Sequence, residues 1–309
     1  MTFERDFGLR RSTIAGDGLD LHLVETASAG DQQGPPVLFV HGYPDTHAVW
    51  LPTVARLVDD LSCVLYDVRG AGGSGVPESP AGYHVSHLVN DLVAVIDAVS
   101  PTRPVHIVGH DWGSVQAWEA VLLAGVDPRL RGRIASYTTI SGPSLHHFGA
   151  WAATSMRRGW RSRRELARQA LHSWYVLAFQ VPVVPEVALR RMLRSPGATA
   201  RLLGTRHATP TVVRDAVNGL GLYRANLGGD CGTRHPRRTD IPVQLIVPLR
   251  DAYLTPAVYD DLPRLCSDLT RHDVDAGHWV QQSRPDDVAR LVSEFVSAHS
   301  APNPADSSD

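Results

Sequence analysis

Residues 104–114 join an apolar, β-prone run to a helix-like pattern through the sequence Gly109-x-Asp111-x-Gly113. Glycines on both sides of one residue allow a sharp turn from strand to helix, which holds that residue above a sheet and beside a helix N-terminus. Here the residue is Asp111, and a carboxylate in that position can attack an sp3 carbon and form an ester with a substrate. Because Asp also caps helices well, the pentapeptide alone leaves a purely structural role open.

Two further residues lie at positions that a catalytic triad with Asp111 would require. Asp251 comes just after the predicted strand 243–247, and His278 follows the last predicted strand. Ligands bind at the carboxyl ends of the strands in open α/β sheets. Either residue alone has an ordinary alternative, a turn for Asp251 and a surface position for His278. The order nucleophile, acid, histidine along the chain favours a triad of Asp111, Asp251 and His278.

Backbone donors are also expected near the nucleophile. The loop that begins at His41 follows the first predicted parallel strand and contains Tyr43. We expect the N–H groups of Tyr43 and Trp112 to form an oxyanion hole. His41 itself could instead be a core histidine.

The elements that would position these residues alternate between strands and helices. A hairpin is predicted over 9–27, and continuous apolar runs predict strands at 37–41, 63–66, 134–140, 241–247 and 269–274, with a further strand in the run that leads to Asp111. Helical spacing predicts helices over 46–60, 84–99 and 285–298. Apolar strands that alternate with helices are typical of an α/β fold with a mostly parallel sheet and helices on both faces.

This alternation stops at about residue 143. Residues 143–238 contain helix-compatible segments rich in Arg, Trp and Leu and no strand signal, which predicts a helical lid inserted into the fold. The predicted organisation is a core in two parts, 1–142 and 239–299, around the lid. Residues 300–309 have almost nothing to bury and are predicted to be disordered.

Composition excludes several classes of function. The net charge of −2 argues against nucleic acid as a partner. The three cysteines, Cys63, Cys231 and Cys266, are far apart, and no secretory signal or membrane-length apolar run is visible. We therefore expect a cytoplasmic protein without stable membrane insertion.

The chain resembles the epoxide hydrolase branch of the α/β-hydrolase superfamily over about residues 7–298. The resemblance rests on His41-Gly42-Tyr43-Pro44-Asp45, Asp67-Val68-Arg69-Gly70-x-Gly72-x-Ser74, Gly109-His110-Asp111-Trp112-Gly113 and Gly277-His278-Trp279. It implies an α/β-hydrolase fold with an eight-stranded sheet. Haloalkane dehalogenases share most of these motifs, so the lid must separate the two branches.

The lid contains two segments that resemble those carrying the family's lid tyrosines. They are 175–180, with Tyr175, and 222–226, with Tyr223. A phenol can hydrogen-bond and protonate the oxygen released when an epoxide opens, because it is a neutral donor with a pKa of about 10. The alternative is that both are half-buried aromatic residues of the lid.

The resemblance implies a two-step hydrolysis of an epoxide to a vicinal diol. Asp111 attacks one ring carbon while Tyr175 and Tyr223 protonate the oxygen, and His278, oriented by Asp251, then activates water against the ester. Contacts to the substrate are expected from His41, Pro44, Trp112, Phe179 and Trp279.

No metal or organic cofactor is expected. The pairs His84/His87 and His146/His147 have no third ligand at a suitable spacing. We expect a small hydrophobic epoxide as substrate, and a lipid-derived one is among the alternatives. A homodimer and a further dehydrogenase-like domain C-terminal to this chain, as in some bacterial relatives, are also open.

The lid is unusually basic. Arg157, Arg161, Arg164 and Arg168 have the spacing of one helix face, and Trp160, Ala167, Leu171 and Trp174 that of another. The simpler interpretation is a solvated face above a packed one. The alternative is a peripheral contact with an anionic membrane or lipid.

Two rival functions use the same fold. A haloalkane dehalogenase would use Asp111 and could bind halide through the indole of Trp112, but Tyr43 stands where that family commonly has Asn. A protein that binds a small molecule without turnover is the alternative from a different class. It would have no need for two triad partners and two lid tyrosines.

Overall fold

An eight-stranded sheet forms the centre of the protein in a computed structural model that describes residues 8–26, 36–203, 209–227 and 238–300. The strands are β1 (Arg10–Ala15), β2 (Asp20–Glu25), β3 (Val37–Val40), β4 (Cys63–Tyr66), β5 (Val105–His110), β6 (Ile134–Ile140), β7 (Val243–Pro248) and β8 (Leu269–Val274). Their spatial order is β1-β2-β4-β3-β5-β6-β7-β8. β2 pairs antiparallel with β1 and β4, and all other neighbours are parallel. The parallel part therefore brings the carboxyl ends of β3 to β8 to one edge.

Helices follow most strands and fill the lid. They are α1 (Leu51–Val54), α2 (Val85–Val99), α3 (Trp112–Leu123), α4 (Leu145–Arg157), α5 (Trp160–His172), α6 (Trp174–Ala178), α7 (Val184–Met192), α8 (Pro196–Leu202), α9 (Val212–Asn218), α10 (Leu220–Asn226), α11 (Val280–Ser283) and α12 (Pro285–His299). Short 3-10 helices cover His47–Trp50, Pro80–Tyr83, Pro256–Tyr259 and Leu262–Arg264. Helices α4 to α10 lie between β6 and β7 in the chain, as the lid insertion requires.

Burial on both faces explains the continuous apolar strands. Alternate residues of a strand point to opposite faces of a sheet. In β3, Leu38 and Val40 belong to one apolar cluster, which also contains Trp118, whereas Val37 and Phe39 belong to a second. The sheet is thus the middle layer between two cores, and the predicted α/β-hydrolase fold is confirmed.

One predicted helix is largely replaced by tight turns. Helical spacing predicts a helix over 46–60, with a cap at Thr46. Thr46 does cap, but it caps the 3-10 helix His47–Trp50, and α1 contains only four residues. Beyond α1 the chain makes i→i+3 hydrogen bonds, such as the one from the N–H of Leu57 to the carbonyl of Val54. The prediction of one long helix was therefore wrong, although the segment packs its apolar side as expected.

The predicted arginine face also does not lie on a single helix. α4 ends at Arg157, Arg158 and Gly159 have extended backbone, and α5 begins at Trp160. The apolar side of this segment is not packed either, since Trp160 and Leu171 are 67% and 75% exposed.

The predicted tail after Ser300 and Cys231 lie outside the described residues. Within the part of the chain that the structure describes, no helix combines the length and apolar character needed to cross a bilayer.

Candidate active site

The turn between β5 and α3 holds Asp111 in a constrained conformation. Its φ is 52° and its ψ is −123°, a region that non-glycine residues rarely adopt. The turn can be this tight because α3 packs closely on β3. A Cβ at Gly113 would meet the carbonyl oxygens of Val40 and His41. Glycine is therefore required at that position, and the turn directs the carboxylate of Asp111 into a cavity.

His278 connects the nucleophile to the acid. Its Nε2 lies 3.7 Å from Oδ2 of Asp111, and its Nδ1 lies 2.9 Å from Oδ2 of Asp251. The other carboxylate oxygen of Asp251 accepts the N–H groups of Tyr253, at 2.7 Å, and Leu254. Because Asp251 accepts the Nδ1 proton, Nε2 is left as the nitrogen that can take a proton on the side of Asp111. The structure thus brings together the three predicted triad residues.

The predicted oxyanion donors contact the nucleophile itself. The N–H of Tyr43 donates to Oδ1 of Asp111 at 2.7 Å, and the N–H of Trp112 also hydrogen-bonds to this carboxylate. When the carboxylate becomes an ester, its carbonyl oxygen remains beside both donors. The two groups can therefore stabilise the oxyanion that forms when water attacks that ester.

Charge in the site is controlled by burial and by neighbouring groups. Burial raises the pKa of Asp111, and His278 and the two N–H groups offset part of this effect. Burial alone would lower the pKa of His278, but the charges of Asp251, Asp111 and Asp45 outweigh it and raise the pKa. Burial therefore disfavours the charge of Asp111, whereas His278 and the two N–H groups favour it.

A cavity of about 710 Å³ connects the triad to the lid. This volume suits a small organic ligand. Predicted site residues that line it are Asp111, His278, Tyr175, Tyr223, Tyr43, Pro44, Phe179 and Trp279. Most of the remaining lining is apolar and comes from α5 to α7. The cavity can therefore enclose an apolar molecule against one carboxylate and several phenols.

The two predicted lid tyrosines lie together. The rings of Tyr175 in α6 and Tyr223 in α10 are 6.0 Å apart in an edge-to-face arrangement. Burial raises the pKa of both phenols, and the charge of Asp111 raises them further. Both therefore remain protonated donors at neutral pH.

Two predicted substrate contacts do not reach the cavity. His41 is fully buried, with Nδ1–H directed to the carbonyl of Gly42 and Nε2 accepting the N–H of Val68. Burial lowers the pKa of His41 to about 4, so it is a neutral residue that holds two loops together. The indole of Trp112 packs edge-to-face on the ring of Tyr223, 5.1 Å away, and also does not line the cavity. The expectation that His41 and Trp112 contact the substrate is therefore corrected, because both residues support the site from outside the cavity.

Sequence reasoning missed Tyr253. Its ring lines the cavity 4.8 Å from the ring of His278 and 5.5 Å from that of Tyr175. It follows Asp251 by two residues in the same loop, which was the available signal. Tyr253 shields one side of the imidazole of His278 with an aromatic ring.

Sequence reasoning also missed a link between the lid and this loop. Gln169 of α5 is 1% exposed, and its oxygen accepts the N–H of Thr255 at 2.8 Å. Its amide donates to the carbonyl of Tyr253 at 2.8 Å, and His172 contacts the carbonyl of Ala252 at 2.8 Å. No sequence pattern distinguishes a buried Gln of this kind from a solvated one. These bonds attach α5 to the loop that positions Asp251.

Asp67 of the predicted Asp-Val-Arg-Gly motif lies in a separate hydrogen-bond network. Its carboxylate accepts from the Nδ1 atoms of His47, at 2.8 Å, and His22, at 3.0 Å, and from the N–H of Gly73. One nitrogen or oxygen atom from each of His22, His47 and Asp67 lies within 4.8 Å of the others, which is close enough to bind a metal ion. These atoms are instead hydrogen-bonded to one another. The arrangement fixes the loop after β4.

The sequence and the fold have clear relatives. Residues 35–173 match a family described as alpha/beta hydrolase fold. The chain is 37% identical over 278 residues to "Probable oxidoreductase EphD" of Mycobacterium tuberculosis. The aligned region is 86% of this chain, so the chain spans about half the length of that protein, 46%. It is 29% identical over 331 residues to "Epoxide hydrolase A" of the same organism, covering 91% and 95% of the two chains.

Solved structures agree with this assignment of the fold. A Bacillus megaterium epoxide hydrolase, solved with an inhibitor, superposes with a TM-score of 0.74 at 21% identity and covers 93% of this chain and all of that one. An epoxide hydrolase from Vigna radiata gives 0.71 at 23% identity, covering 94% and 98%. The chain therefore has the α/β-hydrolase fold, and epoxide hydrolases are among the proteins to which its sequence and structure are similar.

Proposed function

We propose that this protein hydrolyses an epoxide to a vicinal diol through a covalent ester on Asp111. The observation that carries the proposal is one cavity in which a partly buried carboxylate lies 3.7 Å from the imidazole of His278 and shares the lining with two protonated phenols. A carboxylate nucleophile needs an electrophilic carbon, and the phenols need an oxygen that becomes basic as the bond breaks. An epoxide supplies both in one ring.

In the first step, Oδ2 of Asp111 attacks one ring carbon and the carbon–oxygen bond breaks. The oxygen stays attached to the neighbouring carbon as an alkoxide, and Tyr175 or Tyr223 donates a proton to it. The product is a hydroxyalkyl ester of Asp111. Oδ1 is held by the N–H of Tyr43 in the free enzyme, which leaves Oδ2 as the attacking atom.

In the second step, His278 removes a proton from water, which attacks the carbonyl carbon of the ester. The oxyanion lies against the N–H groups of Tyr43 and Trp112, and its collapse releases the diol and regenerates the Asp111 carboxylate. The proton that His278 took from water returns to the phenolate left by the first step. Esterification also neutralises Asp111, whose charge is one of the causes that raise the pKa of His278. The first step therefore favours the neutral imidazole that the second step requires.

The arrangement favours an epoxide over a haloalkane. A departing halide needs hydrogen-bond donors and no proton. The indole of Trp112 packs against the ring of Tyr223 and does not line the cavity, so it is not available to a halide there. Two phenols beside the nucleophile instead suit an oxygen that must be protonated.

Trapping the ester tests the proposal directly. The His278→Gln variant should open the epoxide but fail to release the diol. Incubation with styrene oxide should then raise the mass of the intact protein by one substrate molecule, and proteolysis should locate the adduct at Asp111. Wild-type protein should release diol and show no stable adduct.

Asp111→Asn is the matched control, because it keeps the shape of the side chain and removes the nucleophilic charge. It should give neither adduct nor diol while remaining folded. Free halide from haloalkanes would support the rival enzyme. Thermal stabilisation by epoxides, with no product in any assay, would support a protein that only binds them.

A further inference from the structure

Helix α5 of the lid has its apolar face outward. At about 100° per residue, Trp160, Ala167 and Leu171 fall on one side of the helix and Gln169 on the opposite side. Trp160 and Leu171 are 67% and 75% exposed, whereas Gln169 is 1% exposed. A surface helix of a soluble domain normally has the reverse arrangement. The outer face of α5 is therefore built to contact something apolar that no described residue supplies.

This apolar surface surrounds the entrance to the cavity. Ten of the thirteen exposed large apolar side chains of the described residues lie between positions 156 and 192. Four of them, Leu171, Trp174, Val184 and Met192, also line the cavity. A molecule that contacts this surface therefore contacts the route to Asp111.

The same segment concentrates positive charge. Residues 143–203 contain ten of the thirty basic residues and two of the thirty-two acidic ones, a formal charge of +8, while the rest of the chain carries −10. Arg161, Arg164 and Arg168 lie on one side of the apolar stripe of α5, and Arg163 lies on the other. All four are exposed and form no ion pair with a described residue. The guanidinium of Arg161 lies 5.7 Å from the Trp160 ring. An apolar centre between arginines is complementary to a lipid surface, in which apolar chains lie below anionic headgroups.

We propose that the outer face of the lid binds the surface of an anionic lipid bilayer and that the cavity takes a lipid-like epoxide from it. Trp160, Leu171 and Trp174 would enter the boundary between headgroups and acyl chains, and the flanking arginines would contact the phosphate groups. The second part, on the substrate, rests on the proposed function.

Charge favours a bilayer over a second copy of this chain. A symmetric dimer through this face would bring the same arginines of both subunits together, which repels, and would cover both cavity entrances. An anionic bilayer attracts the lid and repels the rest of the molecule. Both effects orient the entrance of the cavity toward the lipid.

Vesicle co-sedimentation tests the docking surface without any turnover. Wild-type protein should sediment with vesicles of phosphatidylglycerol and phosphatidylcholine, bind pure phosphatidylcholine weakly, and dissociate at 1 M NaCl, where the screening length is about 3 Å. Each arginine near an anionic surface strengthens binding by about fivefold. The Arg164→Gln, Arg168→Gln double variant should therefore bind about 25-fold more weakly, and Trp160→Ser should also lose binding.

Matched controls carry the same kinds of substitution on the opposite side of the sheet. Val126→Ser and Arg131→Gln lie between α3 and β6, at the amino ends of the strands, and both side chains are exposed. They should bind vesicles like the wild type. Equal loss in these controls, binding that ignores lipid charge, or a stable dimer that disappears in Trp160→Ser would overturn the docking proposal.

Activity measurements separate this inference from the proposed function. A long-chain epoxide embedded in anionic vesicles should be hydrolysed at least tenfold more slowly by Trp160→Ser than by wild type, and a short soluble epoxide equally fast by both. Equal rates on the embedded epoxide would overturn uptake from the bilayer and leave epoxide hydrolysis standing. Vesicle binding without diol from any epoxide would instead overturn the function and keep the docking surface.

Discussion

Tyr175 and Tyr223 share the cavity with Asp111, and their protonation state decides whether they can assist ring opening. Burial raises the pKa of both, so each can donate a proton over the whole neutral range. The two rings are 6.0 Å apart, so either phenol can reach the same oxygen of a substrate. Their role is therefore expected to be partly redundant.

Replacing both tyrosines with Phe should slow formation of the ester by about 10²- to 10⁴-fold, the range of a general acid. Each single replacement should cost less, because the second phenol remains. Single-turnover measurements of ester formation would separate this step from release of the diol. Tyr83→Phe is the control, since the hydroxyl of Tyr83 is buried without a partner among the described residues. A double variant that opens epoxides at the wild-type rate would contradict the assignment.

The pH dependence of the second step should follow His278. The imidazole must be neutral to accept a proton, and its pKa is raised above the ordinary value of 6.5. Hydrolysis of the ester should therefore decline as the pH falls through the pKa that His278 has in the ester, where the charge of Asp251 still raises it and that of Asp111 no longer does. In Asp251→Asn the strongest opposing charge is removed, so the decline should move to lower pH while the maximum rate drops. Rates of ester decay measured over pH would test both statements. An unshifted decline in the variant would exclude His278 as the titrating group.

At the scale of single elements, α5 holds the loop after β7 in place. Gln169 is its buried contact, with bonds to the N–H and hydroxyl of Thr255 and to the carbonyl of Tyr253. Removing it leaves backbone groups without partners inside the protein. The loop would then hold Asp251 less firmly behind His278.

Gln169→Ala should lower the free energy of unfolding by about 2 kcal/mol, as expected when buried polar groups lose a partner. It should also reduce the rate of ester hydrolysis more than that of ester formation, because only the second step needs the base held by Asp251. Denaturant unfolding and single-turnover kinetics would measure these effects. Gln180→Ala, which removes a bond from the lid to the carbonyl of Tyr223, is the matched control outside this loop. Equal loss of both steps in Gln169→Ala would indicate a purely structural role.

The sequence predicts some elements well and others poorly, for physical reasons. Strands such as β3 and β4 are buried on both faces, and every residue in them is apolar, so the pattern and the outcome coincide. In α5 the helical period groups Trp160 with Leu171, but it does not say which side of the helix is inside, and both predicted faces are exposed. Packing against the loop after β7 turned the Gln169 side inward. That outcome depends on a partner that is distant in the chain.

The residues of the site also divide into those that the sequence predicted and those that it did not. Asp111, Asp251 and His278 were predictable because strand ends of a parallel sheet converge at one edge. His41 was expected in the cavity but lies beneath it. Tyr253 was missed because its position depends on how one loop folds back over an imidazole.

At the scale of the whole molecule, cavity and lid favour apolar substrates. The cavity of about 710 Å³ is lined mainly by apolar side chains and opens onto an apolar surface. Burying one methylene group contributes about 0.8 kcal/mol. In a series of terminal epoxyalkanes, kcat/KM should therefore rise about fourfold with each added methylene until the cavity is filled. Competition assays would measure the series, with chains ending in a hydroxyl group as the control. A flat series would contradict apolar recognition.

The hydrogen bonds of Gln169 give the two sides of α5 different neighbours. Its outer side chains meet the surroundings of the protein, and its inner amide holds the loop that orients the base. A shift of this helix by a fraction of an ångström would change the distance between imidazole and carboxylate without any movement of the substrate. Contact at the outer face of α5 is therefore linked, through Gln169, to the loop that holds Asp251 against His278.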